Sequence, residues 1–115
     1  MSKKRLLTTL IAMVFLLSSV HVFAATKTTI NPKLTFTGTT ANCYVSVFDY
    51  GKSIDVTLEL WHGGTKVDSW SKSGTTSVWI NENCNVTSGY TYTLIVTGTI
   101  GGASINYTPV TKTCP

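Results

Sequence analysis

Apolar and polar residues alternate along most of the chain, with a period of two. Leu34 and Phe36 alternate in a first segment, and Cys43, Val45 and Val47 in a second. Ile54, Val56, Leu58 and Leu60 form the clearest run, with Asp55, Thr57, Glu59 and Trp61 on the opposite parity. Val78 and Ile80 flank Trp79, and Tyr90, Tyr92, Leu94 and Val96 alternate in a long run. This is the signature of half-buried β-strands. Turn signals separate the runs: Asp49-Tyr50-Gly51-Lys52, His62-Gly63-Gly64-Thr65, Lys72-Ser73-Gly74, the polar stretch from Asn81 to Ser88, and Gly101-Gly102. Gly63-Gly64 suits a two-residue hairpin turn, which needs positive φ. Closing it there predicts Leu60 opposite Val67 and Trp61 opposite Lys66. A last strand is expected from Ile105 to Thr113, with Pro109 at an edge or bulge. Seven short strands with turns at this spacing predict an all-β, antiparallel, two-sheet sandwich.

The stretch Val86-Thr87-Ser88-Gly89-Tyr90-Thr91-Tyr92-Thr93-Leu94-Ile95-Val96 sharpens the expectation. It resembles the sixth strand of immunoglobulin-like and fibronectin type III-like domains. There an apolar residue, a Gly turn and a Tyr precede an alternating strand. The resemblance implies a tyrosine corner at Tyr92, its hydroxyl bonded to backbone a few residues upstream. It covers about a dozen residues, and the strand count extends it to residues 25–115. The second strand lacks the Trp usual in fibronectin modules, and the sixth lacks the Cys of the antibody inter-sheet disulfide. The chain also resembles small secreted proteins of Gram-positive bacteria, a likeness that carries no activity with it.

The N-terminus departs from the strand pattern. Lys3, Lys4 and Arg5 precede an apolar run from Leu6 to Val20, and Val22-Phe23-Ala24 follows. A basic head, an apolar stretch and small residues at the −3 and −1 positions make a secretory signal peptide. Residues 1–24 are therefore read as that signal and 25–115 as one domain, secreted and extracellular, with no stable membrane insertion after cleavage. The signal also carries three of the nine basic residues and none of the five acidic ones. The remainder is nearly neutral at +1, so the composition implies no nucleic-acid partner.

Export makes the three cysteines informative. Cys43, Cys84 and Cys114 should lie at one end of the sandwich, because antiparallel strands alternate in direction. Cys43 shares the inward parity of Val45 and Val47, which favours a Cys43–Cys114 disulfide and leaves Cys84 as a free thiol able to link two copies. Cys84–Cys114 is the rival pairing, and three reduced thiols the remaining alternative. His62 falls at the same end, but its spacing from the cysteines matches no zinc motif.

No nucleophile, phosphate-loop or dinucleotide motif is present, so no cofactor and no enzymatic activity are expected. Glu59 and Asp68 face each other in the predicted hairpin, at a separation suited to a retaining glycosidase. A flat sheet face offers no cleft for such chemistry. The same hairpin puts Trp61 and Trp70 together on the outward face, with Trp79 outward on the other sheet. Exposed Trp rings can stack sugars or dock a protein. The expected function is thus a non-catalytic extracellular binding or adhesion domain, with carbohydrate or a surface protein as ligand. The alternatives are a disulfide-linked surface-assembly protein and a small glycoside-active enzyme. Asn85-Val86-Thr87 and Asn106-Tyr107-Thr108 match the N-glycosylation pattern, which matters only in a eukaryotic host.

Overall fold

A computed structural model describes residues 27–115, so the expected signal peptide and its expected cleavage site lie outside the described residues. The described chain is all-β and antiparallel. Its strands are β1 (Thr29–Thr37), β2 (Thr40–His62), β3 (Thr65–Asn85), β4 (Thr91–Ile100), β5 (Ala103–Ser104) and β6 (Val110–Thr113). All six belong to one sheet. The strand after Gly101-Gly102 is shorter than expected: only β5 and β6 pair, and Pro109 sits immediately before β6.

Two of the expected turns do not end strands. β2 runs through Asp49-Tyr50-Gly51-Lys52, and β3 runs through Lys72-Ser73-Gly74. The β2–β3 ladder slips between Asp49 and Ser53, where β2 carries three residues that β3 does not match. Before the slip, the buried positions of β2 are odd: Ala41, Cys43, Val45, Val47 and Asp49. After it they are even: Ile54, Val56, Leu58 and Leu60. An odd insertion flips parity, because successive side chains point to opposite faces. The bend is secured locally. Gly51 adopts φ +77° and Thr76 φ +72°, and Gly51 N donates to Thr76 Oγ1 at 3.0 Å. Asp49, the one buried charged residue among those described, accepts from Thr28 Oγ1 at 2.5 Å and lies 3.6 Å from Lys52 Nζ. Those partners offset the cost of removing a carboxylate from water.

The sheet therefore folds back on itself. In the first layer, β1 pairs with residues 40–48 of β2, and those pair with 77–85 of β3. In the second, residues 54–61 of β2 lie between β3 and β4, and β4 carries β6. Contacts between β1 and both β4 and β6 bring the layers together. At the far end, Phe36 packs against Tyr92 with ring centroids 6.1 Å apart, and Val86 N donates to Thr39 O at 2.9 Å. One core fills the space between, built from Leu34, Val45, Val47, Ile54, Leu58, Leu60 and Leu94, all fully buried.

Among the described glycines, Gly98 leaves the least room for a side chain. It stands opposite Val56 with φ +129°, and a Cβ there would overlap the Asp55 carbonyl. A positive φ already costs a side chain about 1–3 kcal/mol, and the overlap adds to it. Gly98→Ala is expected to lower unfolding free energy by at least about 2 kcal/mol, as read from a urea titration. Unchanged stability would contradict the packing described.

Candidate functional site

The β2–β3 hairpin decides which aromatic side chains can act together. Trp61 pairs with Lys66 across the Gly63-Gly64 turn, as its residues predict, but a bulge follows at once. Leu60 pairs with Asp68, and Val67 has no partner. That extra residue inverts the parity of β3 against the expected register. Trp70 comes opposite Leu58 and packs against the core, half-buried. Trp61 stays on the outer face. The two do not share a face, and the expected Trp61–Trp70 patch is corrected accordingly. The bulge also parts the expected carboxylate pair, because Glu59 stands opposite Ser69 rather than Asp68. Glu59 instead accepts from Trp61 Nε1 at 3.0 Å and approaches Lys66 Nζ at 3.7 Å. The first contact ties Trp61 down to its own sheet, and the second holds the Glu59 carboxylate in place.

The outer face of the first layer is organised differently. Its positions are the odd residues of β1, the even residues 42–48 of β2 and the odd residues 77–85 of β3. In successive rungs, Thr35, Asn42 and Asn83 align, then Lys33, Tyr44 and Asn81, then Asn31, Ser46 and Trp79. Phe48 ends the row opposite Ser77. Tyr44, Trp79 and Phe48 thus alternate between β2 and β3 as diagonal neighbours, within reach of one flat ligand. Trp79 is 57% exposed and Phe48 39%.

Amides fill the space around the rings. Asn42 Nδ2 donates to Asn81 Oδ1 at 2.8 Å and to Asn83 Oδ1 at 2.9 Å. Both carbonyls are engaged, which leaves the Nδ2 donors of Asn81 and Asn83 and the Oδ1 acceptor of Asn42 for other partners. A shallow depression of about 280 Å³ lies over Asn31, Lys33, Thr35, Asn42, Tyr44 and Asn81. Aromatic plates beside fixed amides can hold a ring by stacking while bonding its hydroxyls. Sequence reading placed Trp79 outward but alone. The missed signal was the recurrence of Asn at 31, 42, 81 and 83 on the same parity as Tyr44 and Trp79, which needs the register to become visible.

The cysteine end is a structural cluster. Cys114 is buried, and its thiol donates to Gly38 O in the β1–β2 turn at 3.5 Å. Cys84 pairs with Ala41, which makes it a diagonal neighbour of Cys43. All three are free thiols, so the expected Cys43–Cys114 bond is not formed here; Cys114 reaches the turn instead. His62 lies at this end too, stacked on Tyr90 with centroids 4.2 Å apart and with Nδ1 3.1 Å from Thr91 O. Tyr92 is buried beneath, and its hydroxyl accepts from Thr87 N at 2.8 Å. No group of three His, Cys, Asp or Glu among the described residues can hold a metal ion. No helix among them is long and apolar enough to cross a membrane. The chain matches no known protein family, and no characterised protein is found to be its relative.

Burial pushes the Cys43 thiol up to about 12, with Cys84 and then Asp68 adding to the shift. Cys84 is raised as well, by burial first and Asp68 second. The unfolded chain releases the Cys43 proton near its ordinary value of 9.0, and the folded chain retains it. The unfolded state therefore binds fewer protons between those values, and stability falls as pH rises through the window. In reducing buffer, wild-type stability should decline from about pH 9 to 12 more steeply than that of Cys43→Ala. Parallel profiles would remove Cys43 as the cause.

Proposed function

We propose that this protein is a secreted, non-catalytic binding module that holds a polysaccharide on the outer face of its first layer. The observation that carries the reading is the diagonal row Tyr44–Trp79–Phe48, with Trp79 and Phe48 exposed and Tyr44 half-buried, set among amides. An open Trp beside two further rings on one sheet face marks a surface suited to a partner or ligand. Each ring that covers a sugar face removes apolar area from water, worth about 25 cal/mol per Å². A ligand spanning several rungs combines those contributions, and no reacting group is needed.

We read the scaffold as an immunoglobulin-like or fibronectin type III-like sandwich. What supports this is the bend in each long strand. Counting β2 and β3 as two segments each, and β5 with β6 as one, gives seven, divided three and four between the layers. The Tyr92 hydroxyl bonded to Thr87 N speaks for the same reading. The fourth segment lies with the second layer, whereas constant-type immunoglobulin domains put it with the first.

A specific feature favours one rival. β3 pairs only with β2, so its other edge is open, and the partly exposed Cys84 lies near its end. Open edges template pairing between copies, and a Cys84-linked dimer would serve a surface-assembly role.

The test is retention of the purified 25–115 domain on a panel of insoluble polysaccharides and cell walls. Wild type and Trp61→Ala should be retained alike, and Trp79→Ala and Tyr44→Ala should lose at least about tenfold in affinity, or 1.4 kcal/mol. Retention untouched by Trp79→Ala would overturn the assignment of the face. A folded wild type that binds nothing, and runs as a dimer without reductant, would favour the assembly role.

A further inference from the structure

The charges of this protein are sorted between its faces. Five acidic residues occur in the chain, and none occupies the outer face of the first layer. Asp55 and Glu59 lie on the outer face of the second layer, Asp49 is buried at the bend, and Asp68 and Glu82 take inward parity on β3 but are exposed along its open edge. The aromatic face carries Lys33, one rung from Asn31 and opposite Tyr44. A second lysine approaches from the side: Lys72 Nζ lies 5.8 Å from the centroid of the Trp79 ring. Among the described residues the ion pairs are Lys52–Asp49 and Lys66–Glu59, so neither Lys33 nor Lys72 is neutralised by a carboxylate.

The two lysines stand at different places along the row. Lys33 borders the depression over Tyr44 and the asparagines. Lys72 lines a cleft of about 150 Å³ with Ser73, Ser77, Val78 and Trp79. The Ser73 hydroxyl in that cleft is donated to the Asp55 carboxylate. The donors left for a guest are therefore the Ser77 hydroxyl and the Lys72 ammonium, which lies over the ring of an exposed indole. One ammonium, one hydroxyl and an apolar wall suit a carboxylate or sulfate carried on a ring that stacks on Trp79. Lys33 offers the same to a second anionic group farther along the row.

We propose that the ligand is an acidic polysaccharide, one whose sugars carry carboxylate or sulfate groups. This rests on the polysaccharide reading above and narrows it. Neutral glycans would use the rings and amides but offer neither ammonium an anionic partner. The net charge of the domain is close to zero, so attraction must come from these placed lysines rather than from a general field. It is accordingly short in range and screened by salt.

The test measures affinity for two soluble probes, polygalacturonate and a neutral β-glucan of similar length, at 50 and 500 mM salt, with a sulfated glucan as a third arm. Polygalacturonate or the sulfated glucan should bind at least tenfold more tightly than the neutral glucan at low salt and lose most of that advantage at high salt. Lys33→Gln and Lys72→Gln should each reduce that advantage about threefold. Trp79→Ala should weaken all three probes. Equal affinity for neutral and acidic probes, or a salt dependence that both lysine variants retain, would overturn the acidic preference while leaving the binding face intact. Failure of the folded wild type to bind any probe would overturn the polysaccharide reading itself, and this preference with it.

Discussion

At the bend between Asp49 and Ser53, β2 carries three residues more than its partner, and both sides of the molecule depend on that mismatch. An odd insertion turns the apolar parity of β2 over, so that its two halves present apolar side chains to each other once the strand bends. Without the flip, one half would face the core and the other would turn Val or Leu to water. The buried Asp49, held by Thr28 and Lys52, fixes the corner from inside, and Gly51 bonded to Thr76 fixes it from the edge. Because β3 follows β2 through the same bend, one long hairpin supplies strands to both layers. β1 and β4 then add to the same edge of β2, one on each half.

A smaller irregularity assigns the faces. The single-residue bulge at Val67 turns Trp70 to the core and separates Glu59 from Asp68. The second layer's outer face is left polar and internally satisfied. Thr57 shares a hydrogen bond with Ser71 at 2.8 Å, as does Thr91 with Thr113, and Thr93 lies 3.2 Å from Thr111. Trp61 is held by Glu59 on that face. The first layer's outer face is the reverse case, with open rings and amide groups that have capacity to spare. The difference between the faces is therefore one of unsatisfied chemistry more than of composition.

How much of this could be read from residues alone follows from the same two irregularities. Period-two alternation located the inward positions of β2 and β4 correctly, because Val45, Val47, Leu58 and Leu94 are all buried. It could not say whether Asp49-Tyr50-Gly51-Lys52 ended a strand or bent one, since both need a Gly with positive φ. It could not foresee the Val67 bulge either, because an apolar residue next to a turn satisfies either register. A slip of one residue moved Trp70 across the sheet, and the aromatic face predicted on β2 and β3 moved with it. The proposed binding surface rests on Asn42, Asn81 and Asn83, whose common parity appears only when β2 and β3 are set in register. The clustering of the cysteines near one end followed from strand direction, which bends and bulges leave unchanged.

The central claim is that the ligand face belongs to Trp79 and not to Trp61. The three indole N–H signals of a ¹⁵N-labelled domain report on it directly, titrated with acidic oligosaccharide. The account predicts that the Trp79 signal shifts together with the side-chain amides of Asn81 and Asn83, while the Trp61 and Trp70 signals stay in place. Movement of the Trp61 signal with a stationary Trp79 would contradict it and return the site to the second layer.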